Sequence, residues 1–388
     1  MDEISLKTLH DAIPKRLFER SALKSTLYLL YSIFLVVLTF GTTYHWVNNV
    51  LPEVFFWPAI VFYWLLQGTI ATGIWVIAHE CGHQAYSDSE KINDSVGLVL
   101  HSALLTPYHS WKYSHAMHHR ATGHMKKDQV FVPPTRKQYY EERQSILAKM
   151  RYGMRIITGI GVTRPDTDDD NCKDNEYLSD VPMLSFFMNV PHLIGMLLFG
   201  WPMYLLMNAS GQKYDRWASH FMPNSPIFNG KIKREVHISN IALVVMLSIL
   251  SYVSYVTSFS AVAIYYIGPY LFVNAWLVLI TYLHHTDPRL PHYRDGAWTY
   301  VKGALSTIDR NYGWFINHVH HHIGDTHVAH HLFSRIPHYN AVEVTKILKP
   351  LLGGHYNFDD TFFLKSLWFS FTRCHYVPDE GDVLFYKK

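Results

Sequence analysis

Four apolar stretches, at about residues 27–46, 55–78, 238–258 and 262–283, leave this chain little freedom of fold. Each approaches the ~20 residues that an α-helix needs to cross a bilayer core. In hydrocarbon every backbone N–H and C=O must be bonded within its own segment, so the stretches are expected as helices. A short turn containing Pro52 separates the first two, and Ser258–Ser260 the second two, which gives two hairpins. The expected fold is therefore an all-α integral membrane protein, one domain over residues 1–388. A fifth apolar stretch, 182–209, is interrupted by Pro191, His192 and Pro202, and reads as interfacial or re-entrant.

Charge sets the sidedness, because cytosolic loops carry an excess of Lys and Arg. Lys7, Lys15, Arg16, Arg20 and Lys24 precede the first span, and 210–237 carries Lys213, Arg216, Lys231, Lys233 and Arg234. Both segments are expected in the cytosol. A full crossing by 182–209 would put that basic loop and residues 284 onward on the wrong side from residue 79. The cytosolic cap is then 79–181, 210–237 and 284–388, and both termini are cytosolic. Asn208-Ala209-Ser210 becomes a chance glycosylation sequon. Residues 133–181 read as a polar surface loop ending in the acidic run Asp166–Asp170.

Composition excludes several classes. A net charge of +3 with no arginine-rich tract does not support nucleic-acid binding. Three cysteines (Cys81, Cys172, Cys374) with no CxxC pair exclude a zinc ribbon or a disulfide framework. The polar N-terminus is neither a secretory signal nor an organelle transit peptide. Histidine is the outlier: 26 residues, and they cluster.

Three clusters share a geometry. His79 and His83 sit in HECGH; His115, His118 and His119 in HAMHH; His327, His330 and His331 in HVAHH. Spacings of i, i+3 and i+4 place each set on one helical stripe. A single pair of helical histidines near a membrane is commonly incidental, but three matched boxes on one membrane face are not. Eight neutral imidazoles exceed one metal's capacity and suit two. HECGH also has the form H-E-x-x-H of zinc proteases, in which the glutamate activates water. That rival leaves the six histidines of the other boxes without a role. In the two-metal reading, Glu80 orients a ligand imidazole through its free N–H. Two irons can bind and split dioxygen, giving an oxidant strong enough to remove hydrogen from an unactivated methylene. Soluble di-iron bundles use Glu and Glu-x-x-His ligands in pairs; this chain has no such paired pattern, so the site is expected to be all-histidine or nearly so.

HECGHQ, HAMHH and HVAHH resemble the membrane fatty acid desaturase family. TPYHSWKYSHAMHH, KKDQVFVP, TYLHHTDPRLPHY, GALSTIDRNYG and DTHVAHHLFSRIPHY resemble its acyl-lipid Δ12 (oleate) and ω3 branch, and the likeness covers roughly residues 70–388. The resemblance implies a non-haem di-iron centre, dioxygen as co-substrate, an unsaturated acyl chain on phospholipid or coenzyme A, and the endoplasmic reticulum membrane. It also implies electrons from cytochrome b5 and its reductase. No HPGG haem motif is present, so that donor is expected to dock from outside. Further ligands are implied beside the last span and before box three, at His285 and His321, with His284, His320 and His322 as neighbours. Asp325 is expected, like Glu80, to support a ligand. His101, His109, His124 and His292 read as hydrogen-bonding or surface residues. Lys112, Arg120, Lys126 and Lys127 read as a lipid-surface patch in preference to a donor-docking one. HVAHHLFSRIPHY leans toward Δ12; an ω3 enzyme, a hydroxylase, an epoxygenase and a conjugase remain open.

Overall fold

The structure, a computed structural model, describes residues 5–142, 144 and 182–388. The acidic run Asp166–Asp170 lies outside them. Among the described residues, five helices are long and apolar enough to cross a membrane: Ala22–Asn49, Glu53–Gly82, Asn189–Met207, Lys233–Val256 and Phe259–His285. Four coincide with the expected spans. The fifth belongs to one continuous helix, Pro182–Met207, which carries Pro191 and Pro202 internally. A proline removes one intrahelical bond, and an apolar helix tolerates this where a neighbour packs against it. Here Trp201, Tyr204 and Leu205 pack into the main hydrophobic cluster with Val278 and Tyr282.

In chain order the helices are α1 (Leu6–Ala12), α2 (Ala22–Asn49), α3 (Phe56–Gly82), α4 (Glu90–Ala103), α5 (Tyr108–Ala121), α6 (Pro182–Met207), α7 (Lys233–Val256), α8 (Phe259–Val262) and α9 (Gly268–His285). A π-helical turn, Ala263–Ile267, joins α8 to α9. The cap adds α10 (Tyr300–Ala304), α11 (Trp314–Val319), α12 (His327–Leu332), α13 (His338–Leu352) and α14 (Phe363–Arg373). Two short strand pairs brace it. β1 (His292–Tyr293) runs antiparallel to β4 (Val383–Leu384), and β2 (Asp309–Arg310) parallel to β3 (Phe358–Asp359).

The spans are not equivalent. The α3 span is 67% buried, whereas that of α2 is 11%. So α3 is the central post, and α2 and α7 turn Leu27, Phe34, Val37, Val244 and Tyr252 outward as a lipid-facing surface would. Small residues let partners close on α3. A Cβ on Gly68 would stand 2.4 Å from Phe272 Cβ of α9, and one on Gly73 only 2.1 Å from the Val319 carbonyl oxygen of α11. Neither contact exists for any residue but glycine.

The N-terminal segment belongs to the cap. Leu9, Ile13 and Leu17 bury against Val328, Leu332, Val344 and Leu348, so α1 underpins the box-three helix. Arg16 pairs with Glu343 of α13 beside this contact.

Candidate metal centre

Box one sits on the last turn of α3, with His79 inside the helix and His83 just past its end. Box two rides on α5. Box three occupies all but the last residue of α12, a helix of six residues that is too short to be stable by itself. Asp309 supplies what it lacks. Its Oδ1 accepts from the Val328 N–H at 2.7 Å, at the positive end of the helix, and its Oδ2 from the Tyr356 hydroxyl at 2.6 Å. Burial pushes this carboxyl up to about 7, against the pull of those donors.

The next residue ties the cap to the spans. The buried Arg310 guanidinium donates to Asp287 at 2.7 Å and to the Leu283 carbonyl at 2.8 Å, and it pairs with Asp359. Asp287 stands two residues beyond His285. Hydrogen bonds from Thr361 and the charges of Arg310 and Arg289 outweigh the burial of Asp359 and bring it down to about 2. Each buried charge is paired and hydrogen-bonded, the condition under which burial is tolerable.

On this frame the imidazoles assemble into two groups. His79, His83, His115, His119 and His330 have their ring nitrogens within 4.8 Å of one another, and so do His118, His285 and His331. His327 joins the second group, its Nε2 standing 3.2 Å from Nε2 of both His285 and His331. The boxes interleave. Box two sends His115 and His119 to the first group and His118 to the second; box three sends His330 to the first and His327 and His331 to the second.

The donor set fits metal ions. Nε2 pairs face each other at 3.1–3.3 Å across His79–His83, His115–His119 and His118–His285. With metal–nitrogen bonds of about 2.1 Å, neighbouring ligands of one ion fall at about this spacing. The buried Nε2 of His330 has no hydrogen-bond partner. Where the other ring nitrogen is occupied, it is Nδ1. His118 Nδ1 donates to Asp128 at 2.6 Å, and His331 Nδ1 to Thr122 at 3.1 Å, so both Nε2 lone pairs face inward. Burial first, and neighbouring imidazoles second, hold His83, His115, His119, His327, His330 and His331 well below the ordinary imidazole range. They are neutral, as ligands must be.

Other expected residues are placed elsewhere. His321, implied as a ligand, stands outside both groups. Its Nε2 meets Ser32 at 3.0 Å and its ring packs on Tyr28 and His338. His321 and His322 both adopt left-handed backbone, a turn that directs His321 toward α2. Asp325 supports no box histidine either; it bonds to His322 at 3.0 Å. His284 is satisfied on both sides, by the Ile308 carbonyl and the Tyr312 hydroxyl, which leaves His285 for the site. Glu80 Oε1 lies 3.4 Å from His79 Nδ1, while Oε2 accepts from the His338 N–H at 2.9 Å. That side chain is buried between His79 and the start of α13. His124 is hydrogen-bonded as expected, and His101 is buried among Trp75, Tyr108 and Trp111. Lys112 leaves the basic patch, for its ammonium turns to Asp94 at 2.6 Å, whereas Lys126 and Lys127 surround Asp295.

Asp128, Thr122 and Asp309 carry no motif of their own in the sequence. Their only signal was position, Asp128 in KKDQVFVP and Asp309 in GALSTIDRNYG.

Between α3, α5, α6 and α9 lies a cavity of about 150 Å³. Trp75, Trp201, Tyr204, Leu277 and Val278 make its walls apolar, and His79, His115, His118, His285 and His327 stand along it. Such walls suit an aliphatic chain brought alongside the imidazoles.

Spans, imidazole groups and apolar cavity together define a multi-pass membrane protein able to hold metal ions beside a hydrocarbon ligand. The chain belongs to the fatty acid desaturase family, whose pattern it matches over residues 55–363. It is 45% identical to the Delta(12) fatty acid desaturase of Mortierella alpina, covering 100% of this chain and 92% of that protein. It is 42% identical to the Delta(12)-acyl-lipid-desaturase of Punica granatum, over 99% and 90%. A third relative, at 40% over 98% and 89%, is the omega-6 fatty acid desaturase, endoplasmic reticulum isozyme 2, of Glycine max.

Proposed function

We infer that this chain is a Δ12 fatty acyl desaturase that converts a lipid-linked oleoyl chain to linoleoyl. The observation that carries the reading is the gathering of nine imidazoles beside an apolar cavity, in a chain 45% identical over its full length to a Δ12 enzyme. His79, His83, His115, His119 and His330 would hold one iron, and His118, His285, His327 and His331 the other. Bound there, the two irons supply the dioxygen chemistry that removes a hydrogen from each of two adjacent methylenes. Two of the four electrons dioxygen takes come from the acyl chain. The other two come from an external donor, for which cytochrome b5 and its reductase are the proposed partners.

The protein's own contribution is placement and exclusion of water. Trp75, Trp201 and Tyr204 line the path of the chain, and Asp128 keeps a proton on Nδ1 of His118 so that Nε2 stays a ligand. The proposed location is the endoplasmic reticulum membrane, with boxes and termini cytosolic and 182–209 not fully crossing. A glycan on Asn208 would overturn that topology.

Expression in yeast, which makes oleate but no dienes, tests the function through mass spectrometry of total fatty acids with double bonds located. New linoleate is the expected product. A triene formed only when linoleate is fed would make the enzyme ω3, and a hydroxy or epoxy acid would change the reaction on the same site.

A further inference from the structure

The apolar cavity has a neighbour. Phe131, Ser210 and Tyr282 line it and also line a second, larger cleft of about 850 Å³. The Phe131 and Tyr282 rings meet edge to face at 5.6 Å and, with Ser210, form a neck of residues common to the two spaces. The outer cleft differs in chemistry, with Asn208, Gln212, Lys213, Asp215 and Arg216 among its walls.

Three of the eight described non-glycine residues with positive φ lie around this junction. Phe131, Asn208 and Ser210 have φ of 50°, 56° and 62°. A bulky side chain in the left-handed region is a true outlier, and such residues persist where the surroundings over-determine them, often at ligand clamps. The cleft also has the composition of a membrane interface. Met207 and Trp217, both exposed hydrophobics, line it together with the exposed Lys213 and Arg216. Glu142 pairs with Lys213, and Arg216 Nη2 donates to the Asn224 carbonyl at 3.1 Å. An ammonium has three donors and a guanidinium five, so each has donors to spare.

We propose that this outer cleft seats the phosphate-bearing head of the lipid-linked substrate against Lys213 and Arg216, while the acyl chain passes the Phe131–Ser210–Tyr282 neck to the imidazole groups. The proposal rests on the desaturase reading above and adds the place where the carrier is held. Phosphate is the chemistry shared by a phospholipid head and coenzyme A, and guanidinium and ammonium both recognise it.

The test uses the full chain in nanodiscs with cytochrome b5, its reductase and NADH, supplied either with oleoyl-phosphatidylcholine at varied mole fraction or with oleoyl-coenzyme A. The double variant Lys213→Gln/Arg216→Gln is expected to raise the apparent KM about tenfold, the loss of a charge-assisted contact or two. Its kcat and its two irons per chain should be unchanged, the signature of lost ground-state binding. Lys213→Arg/Arg216→Lys should restore the KM. A rise with phosphatidylcholine alone makes the carrier a phospholipid, and a rise with the thioester alone makes it coenzyme A. An unchanged KM for both, or a kcat that falls together with iron, overturns the site while leaving the desaturase reading intact. A wild-type chain forming no diene from either substrate overturns the desaturase reading, and the cleft assignment with it.

Discussion

His119 and His331 lie face to face, their ring centroids 4.1 Å apart and their planes 16° from parallel, yet they belong to different imidazole groups. One comes from α5 and the other from α12, so the boundary between the groups runs between two stacked rings. Every box thus depends on another for the completion of its group.

Single-ligand losses should therefore be separable by metal content. His330→Ala strikes only the first group and His327→Ala only the second. Each is expected to lower iron from two toward one per chain, by mass spectrometry of purified protein, and to abolish diene formation. Two irons retained in either variant would remove that histidine from the proposed set.

Asp128 offers a milder lesion. Asp128→Asn keeps the shape but weakens the acceptor for His118 Nδ1. Losses of this kind typically cost about 10–100-fold in metal affinity or activity. A chelator competition assay on membranes should show iron leaving the variant first.

Gly73 tests the packing of α3. Alanine is the better helix former by about 1 kcal/mol. Its Cβ would nevertheless stand 2.1 Å from a backbone oxygen that has no flexible end to move aside. Overpacking costs of ~1–3 kcal/mol should win. Gly73→Ala is expected to melt at lower temperature in detergent, and an equal or higher midpoint would show that α11 can shift.

The metal-free protein should be acid-labile. An unfolded histidine takes up its proton near pH 6.5, about the ordinary value. In the fold, burial keeps His83, His115, His119, His327, His330 and His331 neutral to much lower pH. Between those limits the unfolded state holds more protons, so stability rises with pH and is lost as pH falls from 7 toward 5. Thermal midpoints of chelated protein across that range would show the slope, and a flat profile would mean the rings take up protons in the fold over the same pH range as in the unfolded chain.

Much of this was readable in advance, for identifiable reasons. A bilayer-spanning helix needs only a sufficient run of apolar residues, so the four spans could be read from residue type. The helix Pro182–Met207 could not be read as continuous, because Pro191 and Pro202 look like breaks until the packing of Trp201, Tyr204 and Leu205 is known. Helical spacing put the box histidines on common stripes. Which ring joins which group depends on how α5 crosses α12, and that is a tertiary fact. His284 and His285 are neighbours of one type, told apart only by the Ile308 carbonyl and the Tyr312 hydroxyl that occupy the first. Asp128 and Asp309 stand in loops, where an acid is unremarkable until its partner arrives from elsewhere in the chain.

The interleaving of the boxes has a mechanical meaning. Residues up to 119 and residues from 285 onward each contribute to both groups. A pair of bound ions would therefore work as two rivets through the same two plates, which resist rotation where a single rivet would not. Co-expressed as separate polypeptides, the two halves should then stay clasped while metal is present and drift apart once it is stripped.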